Sequence, residues 1–368
     1  METIRKLASV RTIKNIFPIE GADRIELAIV DGWKVIVAKD VNHKVGDKVV
    51  YCEIDSFLPI REEFEFLRKS SYKKMGDIEG FRLKTMKMKG VISQGLILPY
   101  SIIPITQFAT AHDLPEGSDV TEMLGIVKYE PPIPAQLSGQ VKGGFPGFLR
   151  KTDEERIQNL EEQYQRWRSN PELRFYVTEK LDGSSFTCYL KDGQFGVCSR
   201  NLELAEPEPF VPGMEMCGDG IERPRQENTF WKVVREMKIR EKLEKACQEL
   251  GRNLCIQGEM IGSGIQGNPY NLKGQTLRLY NIFDIDAQEY FGLPMFLTTA
   301  EHLLEIPTVP VLEMNFELPE TIEDLLAYAE SKSVLNKDTE REGVVIRSLD
   351  RKISFKSISN KFLLGSKE

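Results

Sequence analysis

A lysine, an aspartate and a glycine stand together between two β-prone segments, in the order Lys180-Leu181-Asp182-Gly183. The flanking segments 176–178 and 186–190 are apolar or β-branched, which predicts a strand–turn–strand junction. A lysine in a partly desolvated turn has a lowered pKa, and its neutral amine is a nucleophile. Asp182 would project to the same side and hold a hydrated divalent cation, while Gly183 would let the backbone approach a nucleotide. Alone, these four residues are more typical of an ordinary β-turn with a solvated lysine, and the functional interpretation depends on the motifs downstream.

Composition restricts the class of protein. The chain has 368 residues, enough for two domains with separate cores, and its 41% hydrophobic and 29% charged content is typical of globular proteins. No apolar segment approaches the length of a membrane span, and the first residues lack the apolar core of a signal peptide. We therefore expect an intracellular, cytoplasmic protein that does not associate with membranes.

Cysteine and histidine usage disfavours a zinc centre. The six cysteines show no Cys-x-x-Cys pairing, so reduced and buried thiols are expected. His43, His112 and His302 are far apart in sequence. A histidine-ligated zinc or a two-histidine catalytic pair is therefore disfavoured.

Basic residues are concentrated in two stretches of an otherwise acidic chain. The formal net charge is −7, but residues 68–89 carry eight basic and two acidic side chains, and residues 347–367 carry six basic side chains and only Asp350. Such stripes fit a groove for nucleic acid or phosphates, and solvated faces explain either stripe alone equally well.

The N-terminal third contains short β-prone segments separated by Gly and Asp turns, at 7–13, 24–30, 33–38 and 48–54. This spacing predicts a small antiparallel barrel, and 101–125 is expected to be a helical or irregular appendage. The segments 18–28 and 45–50 resemble the OB-fold modules appended to some tRNA synthetases and related RNA-binding proteins. The resemblance implies a groove for single strands or backbone, and a packing module is the alternative.

The remaining two thirds alternate strands with a few helices, which favours an α+β domain. A helix is predicted to open at 151–160 with Thr152 or Asp153 as its cap, and a long amphipathic helix at 227–250. A surface loop is expected at 204–226. Strands are predicted at 254–261, 277–285, 343–347 and 352–358.

Six short motifs in one order carry the functional prediction. They are Lys180-Leu181-Asp182-Gly183, Ser199-Arg200-Asn201, Gln257-Gly258-Glu259, Phe283-Asp284-Ile285, 342–347 and 354–358. This ordered set resembles the covalent nucleotidyltransferase superfamily of RNA ligases, DNA ligases and mRNA capping enzymes. The Ser-Arg-Asn motif and the leader 151–156 resemble the ATP-dependent RNA ligases that join 3′-hydroxyl to 5′-phosphate ends, in the branch with an N-terminal OB module and no C-terminal domain.

The resemblance implies a fold and its domains. We expect an N-terminal small β-barrel of the OB type, followed by a nucleotidyltransferase domain of antiparallel sheets with flanking helices. The boundaries expected are an OB module with its appendage at 1–130, a linker at 131–149 and the adenylyltransferase domain at 150–368.

The resemblance also implies roles around the nucleotide. Lys180 would attack the α-phosphorus of ATP and become a lysyl-AMP. Arg200 would lie over the sugar, Glu259 would accept from a ribose hydroxyl, Phe283 would stack on adenine and Glu179 would help to read the adenine edge.

Two further roles concern charge. Asp182 and Glu342 would bind the waters of a Mg²⁺ or Mn²⁺ ion. Lys356 would contact the α-phosphate and help to keep Lys180 unprotonated by repulsion. Many relatives carry a second lysine where this chain has Ser354, so the phosphate contacts would be distributed differently here.

The predicted activity is the joining of RNA ends, at nicks in duplex RNA or in a hybrid, through lysyl-AMP and adenylylated RNA. RNA is the predicted partner, and no obligate protein partner is inferred. A DNA ligase or capping enzyme is an alternative within the superfamily, although these usually carry a C-terminal OB domain. A non-catalytic RNA-binding protein, including a tRNA-binding accessory protein, is the alternative from another class.

Overall fold

The computed structural model describes residues 6–104, 114–130, 140–208, 213–216, 222–224 and 227–365. Residues 6–130 hold twelve of its strands and one short helix, and the remainder holds fourteen strands and six α-helices. Among the described residues, none of the helices has the length and apolar character needed to cross a membrane.

The N-terminal part is built from short antiparallel strands. Its elements are β1 Ala8–Thr12, β2 Asn15–Pro18, β3 Ile25–Val30, β4 Trp33–Ala38, β5 Lys48–Cys52, β6 Ser56–Pro59, α1 Arg68–Ser71, β7 Tyr72–Met75, β8 Ile78–Arg82, β9 Met86–Met88, β10 Val91–Ser93, β11 Leu96–Pro99 and β12 Val127–Lys128. The four predicted strands are present, with ends displaced by up to two residues. In the predicted appendage, the described residues contain a short 3-10 turn at Tyr100–Ile102 and no α-helix.

These strands form four small sheets, in the orders β1-β5-β11, β2-β3-β4, β9-β10 and β12-β6-β8-β7. Alternate side chains of β4 and β5, among them Trp33, Val35 and Tyr51, are buried in one apolar cluster. A second cluster contains Leu58, Phe64 and Phe81. The period-2 pattern of the sequence therefore produces the expected packing of a small barrel.

The C-terminal part contains longer strands and flanking helices. Its elements are β13 Val141–Gly144, β14 Glu155–Arg156, α2 Glu161–Arg168, β15 Phe175–Lys180, β16 Ser184–Lys191, β17 Gln194–Cys198, β18 Leu202–Leu204, β19 Met214–Met216, β20 Glu222–Pro224, α3 Thr229–Glu236, α4 Ile239–Leu250, β21 Leu254–Gly262, β22 Gln275–Asp284, β23 Glu289–Tyr290, α5 Leu293–Thr298, β24 Val311–Phe316, α6 Ile322–Ala329, β25 Gly343–Ser348, β26 Ser354–Ile358 and α7 Asn360–Gly365.

Two sheets dominate this part. One has seven strands in the order β13-β18-β17-β16-β21-β22-β23, and the other has five in the order β14-β26-β25-β15-β24. The seven-stranded sheet packs one face against α3, α4 and α5, where Phe186 and Leu243 are fully buried. The five-stranded sheet packs Val177 and Phe355 with residues of α2 and α6. Lys180 ends β15 and Ser184 begins β16, so the turn at 181–183 connects the two sheets.

Two helix predictions are wrong. Residues 151–154 form no helix, and the chain enters β14 and a 3-10 turn before α2 begins at Glu161. Asp153, predicted as a possible cap, and its neighbour Glu154 instead pair with cations that are distant in sequence. The helix predicted at 227–250 is split into α3 and α4, because Lys238 adopts a left-handed conformation with φ 53°.

The predicted linker falls into two parts. Residues 131–139 lie outside the described residues, whereas β13 pairs with β18 and extends the seven-stranded sheet. Of the predicted loop 204–226, the described residues include a small hairpin of β19 and β20. Strand pairing therefore places β13, β19 and β20 in sheets, although the composition of these segments predicts a linker or a loop.

The barrel contacts the start of the C-terminal part directly. The indole of Trp33 donates to Asn159 Oδ1 at 2.6 Å, and Asn159 Nδ2 donates to Glu53 Oε1 at 2.5 Å. The backbone N–H of Gly32 donates to the carbonyl of Gln158 at 3.2 Å. Trp33 and Glu53 are buried, so these bonds lie at a packed junction.

Candidate active site

Lys180 is placed beside Glu342 by strand register. Lys180 pairs with Gly343 across β15 and β25, so Glu342 lies next to the lysine at the mouth of the strand pair. The Lys180 amine lies 2.7 Å from both carboxylate oxygens of Glu342. The side chain of Lys180 is 27% exposed and that of Glu342 is 16% exposed. The pair is therefore accessible from one side and desolvated on the other.

The electrostatic environment of Lys180 differs from the expectation. Burial lowers the pKa of Lys180, but Glu342, Glu259 and Asp182 raise it, and the net pKa lies above the ordinary value. The prediction of a lowered pKa is wrong for this state of the protein, because three carboxylates outweigh desolvation. Lys180 is thus a protonated ammonium in the structure.

The turn after Lys180 is fixed by two local contacts. The backbone N–H of Asp182 donates to the hydroxyl of Tyr270 at 2.6 Å. A Cβ at Gly183 would lie 2.4 Å from the carbonyl oxygen of Met260. Glycine is therefore required here for the close approach of strand β21, and replacement by alanine would push the turn away from that strand.

Glu259 joins the same group from the neighbouring strand. It pairs with Ser185 across β16 and β21. Burial raises the pKa of Glu259 to about 8, with Lys180 opposing the shift and Glu342 and Asp182 adding to it. We call Lys180, Asp182, Glu259 and Glu342 the carboxylate cluster. It holds one cation among three carboxyl groups.

Asp153 is the centre of a second group. Its carboxylate lies 2.8 Å from Lys128 Nζ, 3.1 Å from Lys356 Nζ and 3.4 Å from Arg200 Nη2. Burial alone would raise the pKa of Asp153, but Lys356, Lys128 and Arg200 hold it well below its usual range. We call these four residues the cation cluster. It brings together two predicted site residues, Arg200 and Lys356, through a residue that the sequence placed in a helix cap.

A buried ion pair supports the segment that carries Asp153. Glu154 Oε1 accepts from Arg347 Nη2 at 2.9 Å and from Ser354 Oγ at 3.3 Å. Burial raises the pKa of Glu154, yet Arg347 and Lys356 lower it to about 2. Arg347 is 2% exposed and also donates to Thr178 Oγ1. The leader is therefore attached to the five-stranded sheet, where β14 pairs in parallel with β26.

Two predicted nucleotide-binding residues lie apart from both clusters. Side chains alternate along a strand, so Glu179 points to the face of β15 opposite Lys180, where its Oε2 accepts from the Val334 N–H at 2.8 Å. Phe283 is fully buried and packs against Tyr290, with the Arg150 guanidinium 5.4 Å from its ring centre.

A cavity of about 450 Å³ adjoins the cation cluster. It is bordered on one side by the barrel and on the other by the C-terminal part. Apolar side chains such as Phe145 line it together with charged and polar ones, which include Lys128, Lys151, Asp153, Arg200 and Asn201. A cavity with an apolar lining and a few polar groups is typical of a small-molecule ligand site.

Sequence reasoning missed three residues that shape the site: Lys128, Asp153 and Tyr270. Asp153 and Glu154 did carry a signal, as adjacent acidic residues within the leader resembling RNA ligases, but capping explained them locally. Lys128 belongs to the barrel and nothing near it in sequence indicates a site. Tyr270 lies 88 positions from its hydrogen-bond partner.

Comparison with known proteins agrees with the fold and the motifs. A family profile described as an OB-fold domain matches residues 7–100, and the RNA ligase family profile matches residues 173–362. No curated protein sequence matches the chain.

Among solved structures, the chain is similar to the RNA ligase of Naegleria gruberi. A mutant of that protein with ATP and Mn is 41% identical, with 98% of each chain covered and a TM-score of 0.83. Its structure with PPi is 42% identical over 98% of each chain, with a TM-score of 0.82. A mutant with AMP and Mn is 41% identical over 98% of each chain, with a TM-score of 0.82. The predicted α+β architecture with an N-terminal OB fold is confirmed, and the chain belongs to the RNA ligase family.

Proposed function

We propose that this RNA ligase uses ATP to activate RNA 5′-phosphate ends at Lys180 and joins them to 3′-hydroxyl ends. The observation that carries the proposal is the placement of Lys180 at the connection between the two sheets, next to Glu342 and within the carboxylate cluster. RNA is the substrate class of the family to which the chain belongs.

The ligands of the similar ligase support ATP as the co-substrate. The Naegleria gruberi protein has been solved with ATP, with AMP and with PPi. AMP and PPi are the two parts into which adenylyl transfer divides ATP. A site that accepts all three ligands fits a two-stage reaction with a covalent AMP intermediate.

Spacing of the mutated positions in those structures supports the residues assigned here. They include a lysine followed two positions later by an aspartate, and a glutamate followed fourteen positions later by a lysine. Lys180 and Asp182, and Glu342 and Lys356, have the same two spacings in this chain.

The chemistry of Lys180 requires loss of its proton. The neutral amine attacks the α-phosphorus of ATP, a P–N bond forms, and the bond to the β-phosphate oxygen breaks to release pyrophosphate. In the structure the amine is an ammonium held by Glu342. Glu342 must therefore release Lys180 before attack, and redirecting its carboxylate to another cation lowers the pKa of the lysine.

The carboxylate cluster fits a hydrated divalent ion. Within the described ranges, no three His, Cys, Asp or Glu side chains are placed to enclose a metal directly. Mg²⁺ typically keeps several waters and is bound through one or two carboxylates plus substrate phosphates, which Asp182 and Glu342 can supply. When bound, Mg²⁺ or Mn²⁺ supplies charge neutralisation at the α-phosphate.

Other residues are proposed to position the nucleotide. Arg200 and Lys356 are already paired to one carboxylate and are suited to phosphate or sugar contacts. Glu259 lies on the Lys180 side of the site and is proposed to bind a ribose hydroxyl. For Glu179 to read the adenine edge and Phe283 to stack on adenine, their present contacts with Val334, Tyr290 and Arg150 must change.

For the RNA substrate, we propose a nick in duplex RNA or in a hybrid, with the OB module contacting the strand beyond the active site. The packed junction at Trp33, Glu53 and Asn159 supports this, because it fixes the module against the ligase domain. We propose that the OB module ends near residue 130 and that the ligase domain begins near residue 150. Strand β13, between them, is part of the seven-stranded sheet.

The substrate proposal is tested by comparing the sealing rate of a nicked duplex with that of the same ends in single-stranded RNA. Equal sealing rates would contradict a preference for nicks.

Incubation with α-labelled ATP and Mg²⁺ or Mn²⁺ tests the function as a whole. Label should remain on denatured wild-type protein, and Lys180→Ala should reduce it by about 10³-fold or more, since the nucleophile is absent. Lys191→Ala is the matched control: Lys191 lies at the far end of β16, is paired with Asp192, and its loss should leave labelling normal. Lys180→Ala should still seal a pre-adenylylated end in part. A labelled Lys180→Ala protein would show that another residue is the nucleophile.

A further inference from the structure

Three cations from three separate elements converge on Asp153. Lys128 comes from β12 of the barrel, Arg200 from the turn between β17 and β18, and Lys356 from β26. Their nitrogens lie 2.8, 3.4 and 3.1 Å from the Asp153 carboxylate, respectively. Lys356 has 13% of its side chain exposed, and Asp153 has 33% exposed. The carboxylate thus acts as the shared anion of a partly desolvated, three-cation site.

Asp153 is the one carboxylate that all three cations share. The adjoining cavity is lined by both acidic and basic side chains, including Glu122 and Glu130 as well as Lys128 and Arg200. An anion carrying several charges would attract the three cations more strongly than a single carboxylate does. Polyphosphates have the required charge and many acceptor oxygens, and lysine and arginine both bind them with charge-assisted hydrogen bonds.

We propose that Asp153 is a positioning residue that acts as an internal anion and competes with polyphosphate for Lys128, Arg200 and Lys356. Without nucleotide it holds the three side chains together and joins the barrel to the ligase domain. When polyphosphate binds, the negative charge of Asp153 weakens the attraction between the polyphosphate and the three cations. Pyrophosphate is therefore released more readily than it would be from the same three cations without Asp153. This inference rests on the proposed function for the role of the polyphosphate.

Calorimetric titration of pyrophosphate, with Mg²⁺, into the nucleotide-free full-length protein tests the competition without requiring catalysis. Asp153→Asn should bind pyrophosphate on the order of tenfold more tightly than wild type, because the nearest competing charge is removed while the shape is kept. Glu122→Gln is the matched control. Glu122 is an exposed carboxylate that lines the same cavity, and among the described residues no ion pair joins it to any of the three cations. It should bind like wild type, within about twofold.

A purely structural role predicts the opposite result, since a disordered cluster would bind pyrophosphate less well. Equal or weaker binding by Asp153→Asn would therefore overturn the proposal, as would equally tight binding by Glu122→Gln. Lys128→Gln is an independent arm that keeps the test valid if Asp153→Asn unfolds. It should weaken pyrophosphate binding several-fold, and unchanged binding would also overturn the proposal. Failure of the ATP-labelling experiment would contradict the ligase function and leave this binding result to stand separately.

Discussion

The two charge clusters of this RNA ligase are of opposite composition. The carboxylate cluster encloses one lysine with three acidic side chains, whereas the cation cluster encloses one aspartate with three basic side chains. Both bring together residues from distant parts of the chain. In each cluster, one side chain of one charge lies among three side chains of the opposite type. The first therefore suits an added cation and the second an added anion.

The difference explains why neither cluster could do the other's work. Adding an anion beside Lys180 alone would meet the carboxylates of Asp182 and Glu342, which repel phosphate unless a cation is present. Adding a cation beside Asp153 would meet three positive side chains. A metal–polyphosphate complex satisfies both groups at once, because it carries a charge of each sign to the appropriate place.

The largest expected effect is on the carboxylate cluster. Glu342→Gln removes the partner of Lys180 and a proposed metal contact, so the rate of self-adenylylation should fall by about 10²- to 10³-fold. Glu340→Gln, an exposed neighbour paired with Lys332, is the control and should react normally. Measuring label on denatured protein against time gives both rates. Retained activity in Glu342→Gln would mean that the clusters do not divide the cation and anion roles.

The next effect concerns the support of the cation cluster. Arg347→Met leaves the partly buried carboxylate of Glu154 without its guanidinium partner, which should cost about 3 kcal/mol of unfolding free energy. The double variant Arg347→Met with Glu154→Gln should recover part of that loss, because the uncompensated charge is gone. Denaturant unfolding measures both. If the single and double variants are equally unstable, the ion pair does not hold the Asp153 segment.

The clusters should also differ in their response to pH. Burial raises the pKa of Glu259 from 4.5 to about 8, so the unfolded chain releases this proton at lower pH than the folded protein. The folded state should therefore lose about 2 kcal/mol or more between pH 4.5 and about 8 through this group. Glu259→Gln should flatten that part of the stability profile.

Asp153 gives the contrasting half of the pH experiment. Its pKa lies well below the usual range, so it is ionised throughout the same interval. Asp153→Asn should leave the slope of unfolding free energy against pH unchanged there, whatever it does to the absolute value. A flattened slope in Asp153→Asn, or an unchanged one in Glu259→Gln, would reverse the assignment of the pH-sensitive cluster.

The smallest expected effect concerns the contact between the barrel and the ligase domain at Asn159. It tests whether this contact positions the cation cluster and leaves the carboxylate cluster unaffected. Asn159→Ala removes bonds to Trp33 and Glu53 and should cost about 1–2 kcal/mol of unfolding free energy. Because Lys128 is supplied by the barrel, pyrophosphate binding should weaken by about twofold. The label formed at saturating ATP should be unchanged. Equal losses of pyrophosphate binding and of label would show that the barrel also positions the Lys180 site.

Sequence order was enough to find most of the chemistry. The six motifs placed Lys180, Arg200, Glu259, Glu342 and Lys356 in one family pattern, and the family is confirmed. Local β-prone patterns also predicted β3, β4, β15, β16 and β25 to within two residues, because side-chain alternation and turn residues act over short distances. The roles of individual site residues remain the predictions stated above.

Long-range charge decided what local sequence did not. Asp153 and Glu154 were predicted as a possible cap and part of the first turn of a helix. They instead pair with Lys356 and Arg347, 203 and 193 positions away, and the helix starts only at Glu161. The pKa of Lys180 rose because strand register set Glu342 beside it. Residue types and their order thus determined the family and its class of chemistry from the sequence alone. Only the tertiary structure decided which charges meet, since Coulomb interactions depend on distances in space that strand pairing sets.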